Sequence, residues 1–185
     1  MMSLTLSCLI SAGTLSLVER GLQQIRHSVS ALLVEARFEA RALTPQDVED
    51  VRTLLEPEAA TREQTMHWES LLDGAVPLPS TPIRQILINL VLNAIQAAGR
   101  GGTVTCRIHA DAEQMSLEVR NGGRSIPAEL MEHLFEPFSS GSEGGSGLGL
   151  WVTYQIVEQL RGTIRVKSGP PETEFAVALP LGAAT

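Results

Sequence analysis

Three glycines spaced two residues apart stand directly before an apolar helical pattern. Gly145, Gly147 and Gly149 belong to the stretch GSGLGL, and the helix is predicted to begin near Leu148. Glycine lets backbone N–H groups approach a phosphate closely, and a helix N-terminus adds unpaired donors and a partial positive charge. The pattern therefore predicts a phosphate-binding loop, although a flexible linker has a similar composition.

A second set of polar residues lies inside an apolar helix. The run IRQILINLVLNAIQAAG predicts a helix that opens at Thr81-Pro82, ends at Gly99 and carries Asn89, Asn93 and Gln96 on one stripe. Asparagine is a mediocre helix former, and buried amides need partners. The two asparagines are therefore either bonded to neighbouring backbone or ligands of a bound metal ion.

Composition narrows the classes of function. The chain has 185 residues, 43% of them hydrophobic, and a net charge of −7 without a cluster of Lys and Arg, which argues against a nucleic-acid partner. Cys8 and Cys106 lack metal-ligand spacing and indicate a reduced, cytoplasmic protein. The apolar run from Ser3 to Gly13 is shorter than the roughly 20 residues of a membrane span, so no membrane contact is predicted.

The elements that must position these residues alternate between helices and strands. Thr44 and Pro45 predict the start of a helix, as N-cap and first helical residue. Period-two alternation predicts two hairpins, TVTCRIH with MSLEVR and TIRVKS with TEFAVALP. Further predictions are short strands at 65–70 and 75–78, a turn at NGGRSIP, a short helix over 127–134, and a last helix that ends before Gly162. This order predicts an α/β fold, a two-layer sandwich of helices on a mixed, mostly antiparallel sheet.

A long helix with a heptad seam is predicted before this layer, over residues 14–43. The apolar positions recur at spacings of four and three: Val18, Leu22, Ile25, Val29, Leu32 and Ala36. No matching seam exists elsewhere in the chain, so self-association through the 15–41 helix is predicted. Residues 1–13 are predicted to be a frayed or truncated N-terminus.

Four motifs in a fixed order resemble the ATP-binding domain of sensor histidine kinases, in the superfamily shared with DNA gyrase, Hsp90 and MutL. They are NLVLNAIQA, NGGRSIP, LFEPF and GSGLGL, with a weaker TEF at the end. The resemblance covers residues 44–185 and implies the Bergerat-type ATP-binding fold. The heptad helix resembles the second helix of the dimerisation and phosphotransfer hairpin, but no H-E/D-x-x-N-P phosphoacceptor motif is present.

The resemblance also implies roles for individual residues. Asn93, with Asn89 one turn earlier, would coordinate the Mg²⁺ that bridges the ATP phosphates. Residues 145–149, including Leu148, would form the phosphate lid, and Phe135 and Phe138 its hinge. The remaining ATP-binding positions implied by the motifs are Asn121, Gly123, Ser125, Ile126 and Thr173.

Two departures from the family pattern leave alternatives open. Asn121 stands where the family usually has an Asp that accepts a hydrogen bond from adenine, and PPETEF lacks the glycine pair of the last motif. The prediction is the catalytic part of a histidine kinase that transfers the ATP γ-phosphoryl group to a histidine outside this chain, with a response regulator as partner. The alternatives are a non-catalytic dimerising or regulatory module with a degraded pocket, and an anti-sigma-factor-type Ser/Thr kinase.

Overall fold

A computed structural model describes residues 41–139 and 147–182 of the chain. The predicted heptad helix up to residue 40, its seam, Cys8 and Gly145 lie outside the described residues. All described residues belong to one compact unit that starts at Glu39. None of the helices in the described ranges is long and apolar enough to cross a membrane.

The described residues form a five-stranded sheet with helices against one face. The strand order is β2-β4-β5-β7-β6, in which β2 and β4 run parallel and the other pairs antiparallel, and β1 pairs separately with β3. The elements are β1 (Ala42–Leu43), α1 (Pro45–Thr61), β2 (Thr65–Ser70), β3 (Val76–Pro79), α2 (Ser80–Ala98), β4 (Thr103–Ala110), β5 (Gln114–Gly122), α3 (Ala128–Met131), α4 (Gly149–Gln159), β6 (Thr163–Gly169) and β7 (Glu172–Pro180). The predicted two-layer α/β sandwich is confirmed.

The helix boundaries follow mostly from local signals. Thr44 is the N-cap of α1, and its side chain and that of Asp47 form a capping box. The helix α2 begins at Ser80, one residue before the predicted opening at Thr81-Pro82, because β3 runs directly into the helix and Pro79 occupies the cap position without a side-chain bond. At the other end Gly99 ends α2 with a φ of 69°, a conformation that favours glycine.

The core lies between α2 and the inner face of the sheet. α2 packs against β4 and β5, α1 against β2, and α4 against β6. Alternate residues of β4 and β5 are buried, as period-two alternation predicts, and α2 is buried around most of its circumference. Cys106 is one of these core residues, and its burial raises the pKa of the thiol.

A buried carboxylate anchors the start of the described chain. The side chain of Asp47 is 3% exposed, and its carboxylate accepts hydrogen bonds from the Arg41 guanidinium and from the backbone N–H and hydroxyl of Thr44. Burial raises the pKa of Asp47, but the hydrogen bonds outweigh burial and hold this pKa well below its usual range. The backbone N–H of Ser80 also donates to the Arg41 carbonyl, so this end of the chain is fixed to α1 and α2.

Candidate functional site

A cavity of about 290 Å³ lies between α2, the turn after β5, α3, the start of α4 and the beginning of β7. The apolar residues of its lining are Ala97, Ile126, Pro127, Leu130, Leu134, Leu150 and Phe175. The polar residues of its lining are Asn93, Gln96, Asn121, Arg124, Ser125 and Thr173. An apolar wall with a few convergent polar groups is the usual construction of a small-molecule site.

The polar floor of the cavity is built by neighbouring strands of the sheet. Asn121 at the end of β5 and Thr173 at the start of β7 are partners in strand register, with only 3% and 4% of their surfaces exposed. The Asn121 Nδ2 donates to the Gly122 carbonyl at 2.7 Å. The Oδ1 atom of Asn121 has no partner among the described residues and is left as an acceptor at the cavity.

The turn after β5 is held against the end of α2. Gly123 has a φ of 111°, and a Cβ atom there would lie 2.2 Å from the Ala97 carbonyl oxygen. The backbone N–H of Ile126 donates to Ser168 Oγ at 2.8 Å, which ties the turn to β6. These contacts place Ser125 and Ile126 on the wall of the cavity.

The two asparagines of α2 have different surroundings. Asn93 lines the cavity, and its Nδ2 is buried with no hydrogen-bond partner among the described residues. Asn89 is not part of the lining. Its Nδ2 donates to the Gly149 carbonyl at 3.0 Å and to Thr153 Oγ1 at 3.2 Å, and its Oδ1 accepts from Gln85 at 2.9 Å. Asn93 is therefore available to a ligand, whereas Asn89 joins α2 to the first turn of α4.

A backbone hydrogen bond joins Phe138, which follows α3, to Gly147, which precedes α4. The backbone N–H of Phe138 donates to the Gly147 carbonyl at 3.0 Å, and both residues have positive φ, 64° and 65°. The Phe135 ring packs against Tyr154 of α4 with a centroid separation of 5.4 Å, while Phe138 is 45% exposed. Phe135, Phe138 and the described residues of the predicted lid, Gly147, Leu148 and Gly149, lie outside the cavity lining.

The structure brings together part of the residue set predicted from the sequence. Asn93, Asn121, Ser125, Ile126 and Thr173 line one cavity. Gly123 supports the turn, Asn89 supports α4, and Gly145 lies outside the described residues.

The sequence motifs predict no binding role for four further residues, three that line the cavity and one that contacts a lining residue. Arg124, Gln96 and Leu150 line the cavity, and Arg124 is the only basic residue among the lining residues described. Ser168 lies behind the wall and bonds to both the turn and Thr173. Arg124 belongs to the recognised NGGRSIP motif, whereas the role of Ser168 depends on strand pairing.

No carboxylate is present among the described residues that line the cavity. An anionic ligand would therefore meet amides, hydroxyls and one guanidinium rather than like charge. The charge of the described lining thus suits phosphate groups. Outside the lining, Glu136 accepts a hydrogen bond from His133 and raises the pKa of this exposed imidazole.

Residues 79–183, more than half of the chain, match the model of the histidine kinase-, DNA gyrase B- and HSP90-like ATPase family. The chain belongs to this family. It is 39% identical over 123 residues to the sensory histidine kinase/phosphatase NtrB of Salmonella typhimurium, across 59% of this chain and 35% of NtrB. It is 38% identical over 135 residues to the C4-dicarboxylate transport sensor protein DctB of Rhizobium meliloti, across 71% of this chain and 22% of DctB. The chain thus spans about a third or less of these relatives.

Solved structures with a similar fold include histidine kinase catalytic domains. The nucleotide-free catalytic domain of histidine kinase ThkA superposes with a TM-score of 0.66 at 30% identity, covering 73% of this chain and 90% of that one. ThkA in complex with the response regulator protein TrrA gives a TM-score of 0.68 at 26% identity, covering 98% of this chain and 52% of ThkA. The described domain is therefore homologous to the ATP-binding catalytic domains of two-component sensor kinases.

Proposed function

We propose that this domain binds Mg-ATP in the cavity below α2 and supplies the γ-phosphoryl group to a histidine that is not among the 185 residues of this chain. The observation that carries the proposal is the convergence of Asn93, Asn121 and Thr173, from three separated motifs, on one cavity in a domain of this family. Phosphoryl transfer requires mainly positioning and neutralisation of charge, which fits a cavity whose described lining residues include amides, hydroxyls and a guanidinium but no carboxylate.

The purine would occupy the apolar side of the cavity with its polar edge at Asn121. Ile126, Leu134 and Phe175 offer the flat apolar surface that a base buries. The phosphates would then extend towards Asn93 and the first turn of α4, where free N–H groups favour anions. The lid role of residues 145–149 and the hinge role of Phe135 and Phe138 belong to this proposal.

The residues present fit a magnesium ion bound together with the phosphates. Mg²⁺ prefers oxygen ligands, and the Asn93 carboxamide lines the cavity without a partner among the described residues. Bound there, Mg²⁺ would neutralise phosphate charge. Asn89 is the weaker ligand, because its Oδ1 already accepts a hydrogen bond from Gln85.

The histidine acceptor and the partner follow from the relatives rather than from the cavity. NtrB and DctB are sensor proteins, and ThkA has been solved with a response regulator. We therefore favour a histidine acceptor over the Ser/Thr kinase alternative, and a response regulator receiver domain as the downstream partner. Self-association through the 15–41 helix and a cytoplasmic location remain part of the proposal.

Binding of a fluorescent ATP analogue, with Mg²⁺ and with EDTA, tests the proposal against the non-catalytic alternative. Asn93→Ala is expected to lower affinity in Mg²⁺ by more than about tenfold, or about 1.4 kcal/mol, and to change it little in EDTA. The matched variant Asn89→Ala should weaken Mg²⁺-dependent binding less. Parent protein that binds no nucleotide would show a degraded pocket, and an Asn93→Ala protein that binds as tightly as the parent would exclude Asn93 as a ligand.

The destination of the phosphoryl group is tested with radiolabelled ATP. The chain alone is expected to show no acid-labile label, because His27 lacks the acidic neighbour and following Asn-Pro of a phosphoacceptor. Acid-labile label that disappears in His27→Gln would place the acceptor within this chain and contradict the proposal.

A further inference from the structure

A chain of hydrogen bonds runs behind the cavity floor and ends at Thr173. The N–H of Ile126 donates to Ser168 Oγ at 2.8 Å, and Ser168 Oγ lies 2.7 Å from Thr173 Oγ1. Ser168 and Thr173 are register partners of β6 and β7. Thr173 and Ile126 line the cavity but Ser168 does not, so Ser168 can act on a ligand only through Thr173 or through the turn that carries Ile126.

The direction of the bond between the two hydroxyls decides what Thr173 offers to a ligand. Each hydroxyl has one proton, and only one proton can lie between the two oxygens. Thr173 is 4% exposed and its free side faces the cavity, whereas Ser168 has no contact with the cavity. We propose that Ser168 donates to Thr173 and so leaves the Thr173 proton free to donate into the cavity.

The side-chain amide of Asn121, beside Thr173, is fixed so that it offers an acceptor to the cavity rather than a donor. Asn121 lies opposite Thr173 in register, and its Nδ2 is held by the Gly122 carbonyl at 2.7 Å. Turning the amide over would lose this bond and bring Oδ1 against the carbonyl oxygen. The floor therefore presents an acceptor, Asn121 Oδ1, beside a donor, the Thr173 hydroxyl.

This pattern selects one class of purine, and the inference rests on the proposed binding of a nucleotide in this cavity. The 6-amino group of adenine is a donor with an acceptor on either side, N1 on one edge and N7 on the other. Guanine has an acceptor at position 6 and a donor at N1, so its N1 edge meets the floor with both polarities reversed. Ser168 is thus a positioning residue for adenine selectivity that acts through Thr173.

Chemically edited nucleotides test this role on the full chain. Dissociation constants are measured in Mg²⁺ for ATP, GTP, purine riboside triphosphate (no 6-amino group), 1-deaza-ATP and 7-deaza-ATP. In the parent, replacing N1 or N7 is expected to cost about 3- to 10-fold at the edge that faces Thr173, and GTP should bind more than about tenfold more weakly than ATP. The sensitive deaza analogue identifies which edge of the base is recognised.

Ser168→Ala should reduce that deaza penalty by up to about threefold, because the Thr173 hydroxyl can still donate to the ligand but is no longer held in one of its roughly three staggered orientations, while the penalty for the missing 6-amino group persists. Ser168→Thr keeps the hydroxyl and should restore the penalty. Ser116→Ala is the matched control, since Ser116 alternates with the buried Met115 and Leu117 and so faces away from the cavity side of β5.

The outcomes separate the role of Ser168 from nucleotide binding itself. Equal weakening of every nucleotide in Ser168→Ala would show a merely structural serine and overturn the inference. Parent protein that binds ATP but tolerates both deaza analogues, or binds GTP as tightly as ATP, would also overturn it while leaving the proposed function intact. Parent protein that binds no nucleotide would refute the proposed function and the inference together.

Discussion

Gly123→Ala is the substitution for which the structure predicts the largest effect at the site. The φ of Gly123 is 111°, and an added Cβ would lie 2.2 Å from the Ala97 carbonyl oxygen and 3.2 Å from its carbon. The carbonyl belongs to the backbone of α2, so no flexible side chain can move aside. The turn after β5 must then shift away from the helix.

Two unfavourable contributions to the free energy of folding add in the Gly123→Ala protein. Holding a residue with a Cβ in a conformation suited to glycine costs about 1–3 kcal/mol. Relieving the steric overlap by moving backbone costs a further 1–3 kcal/mol or so. We therefore expect the free energy of unfolding to fall by about 2–6 kcal/mol, a large share of the roughly 5–15 kcal/mol that stabilises a typical domain.

Urea denaturation and nucleotide affinity measure the two consequences of Gly123→Ala. The neighbouring Gly122→Ala is a matched control, because a Cβ at Gly122 meets nothing within 4 Å and the backbone there needs no positive φ. Gly122→Ala is expected to change stability by less than about 1 kcal/mol. A Gly123→Ala protein as stable as the Gly122→Ala protein, with unchanged affinity for ATP, would refute the packing argument.

Two further predictions concern other parts of the domain. Asp47→Asn should lower the free energy of unfolding by about 1–3 kcal/mol at pH 7, because it removes the charged partner of Arg41. Since the pKa of Asp47 is lowered on folding, this difference is full above the unfolded pKa of about 4 and should shrink as the pH falls below it, which urea denaturation at several pH values would show. Gly147→Ala would place a Cβ 2.6 Å from the Phe138 carbonyl carbon, so the Phe138 amide should exchange hydrogen faster than in the control Gly182→Ala, where a Cβ meets nothing within 4 Å. Equal exchange in the two proteins would show that the Phe138–Gly147 bond is not tight.

The strands were predictable because one face of the sheet is buried. Burial of one face forces period-two alternation, which marks both hairpins in the sequence. Strand order was less accessible, since the parallel pairing of β2 with β4 and the placement of β7 between β5 and β6 depend on contacts distant in sequence. β1 has only two residues, Ala42–Leu43, and carries no alternation to detect.

The site was predictable where a motif carries its chemistry within a few residues. Asn93 and Asn121 were identified in this way, and both line the cavity. The contacts of Asn89 were not accessible, because its partners Gly149 and Thr153 lie about sixty residues further along the chain. From the sequence, a structural amide and a metal ligand at Asn89 have the same appearance.

The sequence does contain a feature that could have identified Ser168, and Asn121 and Thr173 share it. On β6, Ile164 and Val166 form the inward alternation, and Ser168 occupies its next position. Asn121 likewise continues the buried alternation of β5, and Thr173 begins that of β7. A polar residue therefore replaces an apolar one at the same end of three strands.

Strand register places these three polar residues side by side. Asn121 pairs with Thr173, and Thr173 pairs with Ser168, so the polar residues form a single row across β5, β7 and β6. Buried polar groups require partners, and this row finds them in the bond between Ser168 and Thr173 and in two adjacent backbone groups, the Gly122 carbonyl and the Ile126 amide. Asn121 Oδ1 is left as an acceptor at the cavity, and the proposed orientation of the bond between Ser168 and Thr173 leaves the Thr173 hydroxyl as a donor beside it. In this proposal the row positions a ligand through these two atoms, which gives a reason for burying Asn121 and Thr173 beside the cavity.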